Sequence, residues 1–425
     1  MKTLLAFTAL AVLALPAVAG EQAAPAQWPG LRGPNFNGLV DGDPPLEWGE
    51  DKNIRWKTPI PGAGHASPVL WGGRLYLQTA VQVEEEGLLS DAVYAFKVLA
   101  VDSGSGEILW EKTLHQGAPA EDKHHRTASF ASTSGITDGE HLYAFFGSQG
   151  IYCLDPDGNV VWGKDLGDQT TRNSFGEGSS PAISGDVLLV NWDHEGESFI
   201  VALDKRSGEE LWRSGRDEPT SWSTPLVVEV NGKKQAIVSA SNRTRGYDLH
   251  SGEIVWQCAG LGTNVIPTPL YRDGVVYVAS GHRSPAMQAI RLDKAEGDIT
   301  GSDAVLWSIS GNTPYVSSPL LWGERLFMTK NRNAILSCYD PATGAPIFGP
   351  ERLEGLGSIY SSLVGAADRI YISDLDGNTL VIKNASAFEP LATNVLDEGT
   401  GSSLVVAGDV IYLRGTRHLY CIAAD

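Results

Sequence analysis

The groups in this chain that could do chemistry sit in one class of loop: Asp193, His194, Arg243, Arg283 and Asn331. Equivalent loops add Gln149, Glu195, Asn242, Thr244, Arg245, His282, Arg332, Asn333, Asp374 and Arg414. Carboxylate, imidazole, amide and guanidinium groups together suit a polar or zwitterionic ligand, because charges withdrawn from water need partners. Asp193 and Asp374 are also the residue type for acid–base hydrolysis. Sharper motifs fail. Asp155-Pro156-Asp157-Gly158-Asn159 and Asp374-Leu375-Asp376-Gly377-Asn378 mimic a calcium loop. Their glycine comes too early and the closing glutamate is missing, so they read as Asp-Gly turns. His124-His125 lies in a polar link near Glu121 and Asp122, but adjacent residues on an extended chain point to opposite sides, which argues against a metal. No Gly-x-Ser-x-Gly elbow or phosphate-cradling loop is present.

What must position these loops is a repeat. A Ser/Thr-Pro-apolar strand start recurs at Ser67-Pro68, Ser180-Pro181, Thr224-Pro225, Thr268-Pro269 and Ser318-Pro319. Proline-free versions stand at Thr133-Ser134, Ser361-Ser362 and Ser402-Ser403. The spacing falls in the period range of propeller arrays, and eight units tile the chain. Each unit reads as four short strands with Gly/Asp turns, an antiparallel meander. Second strands such as Val275-Val276-Tyr277-Val278 are apolar on both faces, so each sheet must be covered on both sides. First-to-second and third-to-fourth turns fall on one face of such a ring. Second-to-third loops share the other face with the links between units, and there Asp193, His194, Arg243, Arg283 and Asn331 form a candidate crown around the channel mouth.

The hairpin between third and fourth strands repeats as Ala100-x-Asp102-x3-Gly106-x3-Trp110, then at Asp204-Gly208-Trp212 and Asp248-Gly252-Trp256. Asp340-Gly344-Phe348 swaps the aromatic; the fifth unit is stretched from Asp293 to Trp307, and the seventh has lost the pattern. The aspartate caps the turn, the glycine supplies positive φ, and the tryptophan wedges against the next unit. Trp110, Trp212 and Trp256 are therefore expected to be buried alike between blades. The last unit lacks a tryptophan strand, whereas Ile54-Arg55-Trp56-Lys57 stands orphaned before the first; pairing the two closes the ring.

Residues 1–19 read as a secretory signal, with Lys2, an apolar run and Ala17-Val18-Ala19. Residues 20–53 are a Pro/Gly-rich wrap and 54–425 the propeller, with Glu84-Glu85-Glu86 a solvated protrusion. A net charge of −19 argues against nucleic acid and anionic membrane surfaces as partners. Cys153, Cys338 and Cys421 share one repeat slot, too far apart to bridge, so with Cys258 they are expected as free buried thiols.

The Ala-x-Asp-x3-Gly-x3-Trp hairpin resembles the repeat of the PQQ-type, quinoprotein-like eight-bladed β-propellers, over essentially the whole chain after the leader. Trp28-Pro29-Gly30-Leu31-Arg32-Gly33-Pro34 and Gly64-His65-Ala66-Ser67-Pro68 further resemble exported PQQ-like repeat proteins of planctomycete-type bacteria. The resemblance implies an all-β, eight-bladed propeller of four-stranded blades. Quinoprotein dehydrogenases hold their quinone with an adjacent-cysteine disulfide, a stacked tryptophan and calcium bound by carboxylate and amide. No Cys-Cys pair exists here, so neither PQQ nor a metal is expected. The chain is nearer in size to the non-catalytic scaffold propellers of outer-membrane assembly, though without their lipid-attachment cysteine. The expectation is a monomeric, exported, periplasmic or extracellular binding propeller, its partner a protein, peptide or glycan of the cell envelope. The alternative is a quinone-dependent dehydrogenase-like enzyme or a hydrolase.

Overall fold

The computed structural model describes residues 27–83 and 92–424. The leader, the first part of the wrap and the Glu84-Glu85-Glu86 protrusion lie outside the described residues. Eight antiparallel sheets form the propeller, with blades spanning residues 69–117, 136–164, 182–216, 226–258, 270–310, 320–352, 364–395 and 405–423. The first strand of each blade is short and, as at Leu320–Trp322, can be mostly buried, whereas the fourth, as at Val305–Ser310, alternates half-buried and exposed residues and forms the outer edge. The eighth blade is completed by Ile54–Pro59, which pairs antiparallel with His418–Ala423 and sets Trp56 opposite Cys421. The closure expected from the orphan strand is the one observed.

One donor and one glycine weld five of the eight seams. Trp110 Nε1 donates to Pro156 O, Trp162 to Lys205 O, Trp212 to Leu249 O, Trp307 to Pro341 O and Trp56 to Ser103 O, at 2.9–3.2 Å. Each acceptor is the residue just after the turn aspartate of the next blade. That aspartate caps its own turn: Asp204 Oδ1 accepts from the N–H groups of Arg206 and Ser207. The hairpin glycine has a second duty besides its positive φ, because a Cβ at Gly208 would stand 2.7 Å from the Trp162 ring. Three seams depart from the rule, and at one of them the sixth blade carries Phe348, which has no N–H to donate. Trp256 is wholly buried and bonds Gln235 Oε1 within its own blade, whereas Trp110 and Trp212 are only half-buried. The cause is the stretched fifth hairpin, whose Gly297–Asp298 joins the fourth blade as a short parallel strand beside Trp256. The three tryptophans therefore do not fill equal niches. In the seventh blade, which lacks the hairpin tryptophan, Trp48 from the wrap stacks on Tyr371 with 6.2 Å between ring centroids and takes up the place.

The wrap is more than a strap. Trp28 bridges to Leu70 in the first blade, Pro29 O accepts from Thr137 in the second, and Leu39 bridges to Gly365 in the seventh. Between them the Arg32 guanidinium donates to Pro319 O and Leu363 O, just ahead of the first strands of blades six and seven. Blades two and six stand opposite in an eight-membered ring, so residues 28–39 cross the axis and plug that end of the channel. Arg32 is fully enclosed with only carbonyl partners, and burial pushes its guanidinium down to about 9.

The Ser/Thr slots form a girdle around the axis. The backbone N–H of Ser67 donates to the Ser134 hydroxyl, Ser134 to Ser180, Ser180 to Thr224, Thr268 to Ser318, Ser318 to Ser362, Ser362 to Ser403, and Ser403 back to Ser67. Buried N–H groups at these strand starts need acceptors, and the hydroxyl of the next blade supplies one.

Candidate functional site

At the end of the channel opposite the plug lies a cavity of about 680 Å³. Its floor is built by one residue per blade, each two positions before the girdle slot: His65, Ser132, Gly178, Trp222, Ile266, Val316, Tyr360 and Gly401. The periodicity that sets the girdle thus also presents eight side-chain positions to one space. Two of them are glycines because a neighbouring ring lies across them: a Cβ at Gly401 would stand 2.4 Å from His65, and one at Gly178 would press on Trp222. The indole is further tied by Nε1 donating to Gly176 O at 2.7 Å.

The walls come from the links between blades and from two second-to-third loops. Arg172, Arg283 and Arg332 line the cavity, with Phe175, Tyr315, Asn264 and His282. His282 stacks on Tyr315, centroids 5.1 Å apart, and His125 sets its ring edge-on to Phe175 at 5.2 Å. The His282 imidazole is held below its usual value by burial and then by Arg283, Arg332 and Arg172, so all three guanidinium groups act on one point. His125 is lowered by burial and by Arg126 and Arg332, and burial takes His65 down to about 4. The histidines are therefore neutral near pH 7 and the arginines carry the charge. Arg172 approaches Asn264 Oδ1 at 3.3 Å and Glu195 at 3.9 Å; among the described residues no acid pairs with Arg283 or Arg332. Two consecutive residues with positive φ occur at Asn173-Ser174 and again at Arg283-Ser284. Left-handed backbone at non-glycine residues is costly and collects where loops are held for function.

Among the described residues Glu177 is the one carboxylate lining the cavity. It accepts from the Ser148 N–H at 2.7 Å and from the Ser148 hydroxyl. Burial pushes its carboxyl up to about 7 against those bonds, helped by Glu121 and Asp168.

The crown disperses when its side chains are followed. Arg283 lines the cavity. Asp193 does not face open space: its oxygens accept from Arg216 Nε at 2.6 Å, Arg216 Nη2 and the Ser221 hydroxyl, and both ionic side chains are fully buried. His194 is buried, its Nδ1 accepting from Thr170 N–H. Arg243 turns outward to Asp298, 3.0 Å away in the added edge strand. Asn331 opens a 3-10 turn at Asn331–Asn333, and its side chain lies outside the described ones. Asp374 is buried and caps its turn, accepting from the N–H groups of Gly357, Asp376 and Asn378, so neither carboxylate named for hydrolysis is free to act. Asp155 likewise caps an Asp-Gly turn. No group of three or more metal-ligating side chains occurs among the described residues.

Sequence reasoning passed over the floor residues and Arg172, Phe175 and Glu177. The floor was readable from the repeat, because its residues keep a fixed offset from the Ser/Thr slot. The link residues follow no period, and only their approach in space joins them.

The repeat, the girdle and the central cavity define the chain as a PQQ-repeat, eight-bladed β-propeller. A family model described as outer membrane protein assembly factor BamB matches residues 46–193 and 196–425, and the chain belongs to that family. No curated protein matches it. Among solved structures it is similar to BamB from Moraxella catarrhalis, at 14% identity and TM-score 0.56, covering 81% of this chain and 100% of that one. It is also similar to the quinohemoprotein alcohol dehydrogenase from Comamonas testosteroni, at 10% identity and TM-score 0.64, over 93% of this chain and 80% of the other. A europium-containing methanol dehydrogenase gives 11% and 0.64, over 93% and 91%. Identities this low establish the fold. No described helix is long and apolar enough to cross a membrane.

Proposed function

We propose that this is a non-enzymatic binding propeller of the cell envelope whose central cavity captures an anionic ligand. The observation that carries the reading is the convergence of Arg172, Arg283 and Arg332 on one aromatic-lined space with a single lining carboxylate, whose charge burial disfavours. Charged groups under a low-dielectric rim focus potential, and guanidinium forks suit carboxylate, sulfate or phosphate. The volume is that of a small-molecule site, so the occupant is a small ligand or a chain end rather than a protein surface. An exported location accords with the leader-like first 19 residues and with the family's envelope role.

The quinone that names the repeat fits this donor set poorly. Its calcium takes about six to eight oxygen ligands. The carboxylate and amide candidates here are Glu177, Asn264 and Asn173, too few to fill that shell; both Glu177 oxygens already accept from Ser148, and Asn264 Oδ1 accepts from Arg172. A dication would also stand among three guanidinium groups, and the four cysteines are buried away from the cavity. Trp222 does supply an indole beside that carboxylate and amide, which keeps a quinone-dependent enzyme as the second reading. Calorimetric titration with citrate at low ionic strength tests the first reading, and titration with the quinone plus calcium tests the second. Saturable citrate binding that is lost in Arg283→Gln/Arg332→Gln supports capture of anions. No heat from citrate, or quinone binding that requires calcium, would overturn it.

A further inference from the structure

We infer that the ligand of the cavity is an acidic oligosaccharide, a run of pyranose rings carrying carboxylate or sulfate groups. This deepens the anion-binding reading and rests on it. Three features go beyond charge. First, the floor offers aromatic platforms at separate ring positions, Trp222 and Tyr360, with Tyr315 on the wall above them. Aromatic faces suit the apolar face of a sugar ring, as they do other flat, partly apolar groups. The Trp222 indole is fixed for such use, its Nε1 tied to Gly176 O and its edge laid over Gly178, so little freedom remains to be lost on binding.

Second, neutral hydrogen-bonding groups ring the same space: His65, His125, His282, Asn173, Thr127 and Ser132. His65 Nδ1 is enclosed and has no partner. An imidazole held neutral both donates and accepts, which matches a ring bearing several hydroxyls. Third, main-chain donors beside the floor are engaged: seven of the eight slot N–H groups bond the hydroxyl of the next blade, and the inner strands of the first and seventh blades are met by Trp28 and Leu39 at the plug end. A peptide in extended form draws much of its affinity from main-chain pairing, and those donors are not open to it here. Arg172, Arg283 and Arg332 come from three different loops around the rim, which suits anionic substituents spread along a chain better than one compact anion.

The test is calorimetry on the full chain at low ionic strength with five probes: a trigalacturonate, its methyl-esterified neutral form, a sulfated trisaccharide, citrate and triglutamate. The trigalacturonate or the sulfated trisaccharide is expected to bind at least tenfold more tightly than citrate, triglutamate and the esterified trimer; which of the two binds tighter assigns the acid. Trp222→Leu should cost the saccharide at least tenfold and collapse its preference over citrate. Should thermal melting show that variant to be unfolded, Tyr360→Leu takes its place with the same expectation. Citrate binding as tightly as both acidic saccharides would remove the saccharide and leave anion capture standing. Triglutamate binding best would hand the cavity to an acidic peptide. Silence from every probe, citrate included, would defeat the underlying reading itself.

Discussion

The backbone N–H of Ser403 donates to the hydroxyl of Ser67 at 3.0 Å, across 336 residues of chain. It belongs to a girdle in which seven of the eight blades lend their neighbour an acceptor, Thr268 alone lending none to Thr224, and it spans the seam where the last blade meets the first.

Ser67→Ala should therefore cost about 1–3 kcal/mol, the usual penalty for stranding a buried donor. Ser67→Thr should stay within roughly 0.5 kcal/mol, since Thr224 holds the same slot ahead of proline and its hydroxyl accepts the same bond from Ser180. Denaturant midpoints of the two variants decide it; equal losses would mean that size, and not the lost acceptor, sets the cost.

The seam tryptophans should separate. Trp256→Ala empties a fully buried site and should cost roughly 3–5 kcal/mol. Trp110→Ala and Trp212→Ala remove half-buried rings and should cost about half as much. Urea unfolding of the three variants checks the order, and an equal loss at all three would contradict the different packing at Trp256.

All four thiols should stay unreacted with alkylating reagents in the folded protein. Burial lifts Cys153 and Cys338 to about 12 and Cys258 and Cys421 to about 11, so thiolate is scarce at neutral pH. Mass spectrometry of unreduced, alkylated protein should show no adducts before denaturation and four after. A deficit of two hydrogens would reveal a disulfide.

Glu177 gives pH a sign. Its folded carboxyl titrates at about 7, above the ordinary value, so the native state holds a proton that the unfolded chain releases earlier. The stability it contributes is full below the unfolded value and is lost as pH rises through about 7. Glu177→Gln should flatten stability between about pH 5 and 8. In the parent protein, ionisation of Glu177 beside the arginines should also weaken citrate binding above pH 7. A parent profile already flat over that range would show that the carboxyl is not raised.

Deleting residues 1–61 removes both the plug and the outer strand of the last blade, and should lower the melting temperature markedly. A deletion variant that melts within a degree or two of the parent would show that the closure adds no stability.

Period made the fold legible. The Ser/Thr slots, the Asp-Gly-Trp hairpins and the orphan Ile54–Lys57 each state a relation between one blade and the next; the orphan strand was found as written, whereas the hairpin rule fails at Trp256. The site was harder to read, for a physical reason. A charged residue at a loop tip belongs to whichever partner its side chain can reach. Asp193 and Arg243 sit at positions comparable to Arg283, yet Arg216 and Asp298 claim them. Nothing in the spacing of Asp193 foretells an arginine 23 residues on turning back beneath it. Arg283 remains at the cavity because no acid stands within its reach among the described residues.

The order in which the chain is made bears on how it can fold. The strand Ile54–Pro59 precedes its partner His418–Ala423 by nearly the whole propeller. At roughly 5–20 residues per second, a nascent chain waits on the order of tens of seconds before the two can meet. Until then the plug segment has no sixth and seventh blades to anchor it, and the growing arc keeps an unpaired edge at each end. Such edges invite other strands, including those of a second nascent copy. Whatever covers those edges until His418–Ala423 emerges guards the chain against pairing with a second copy.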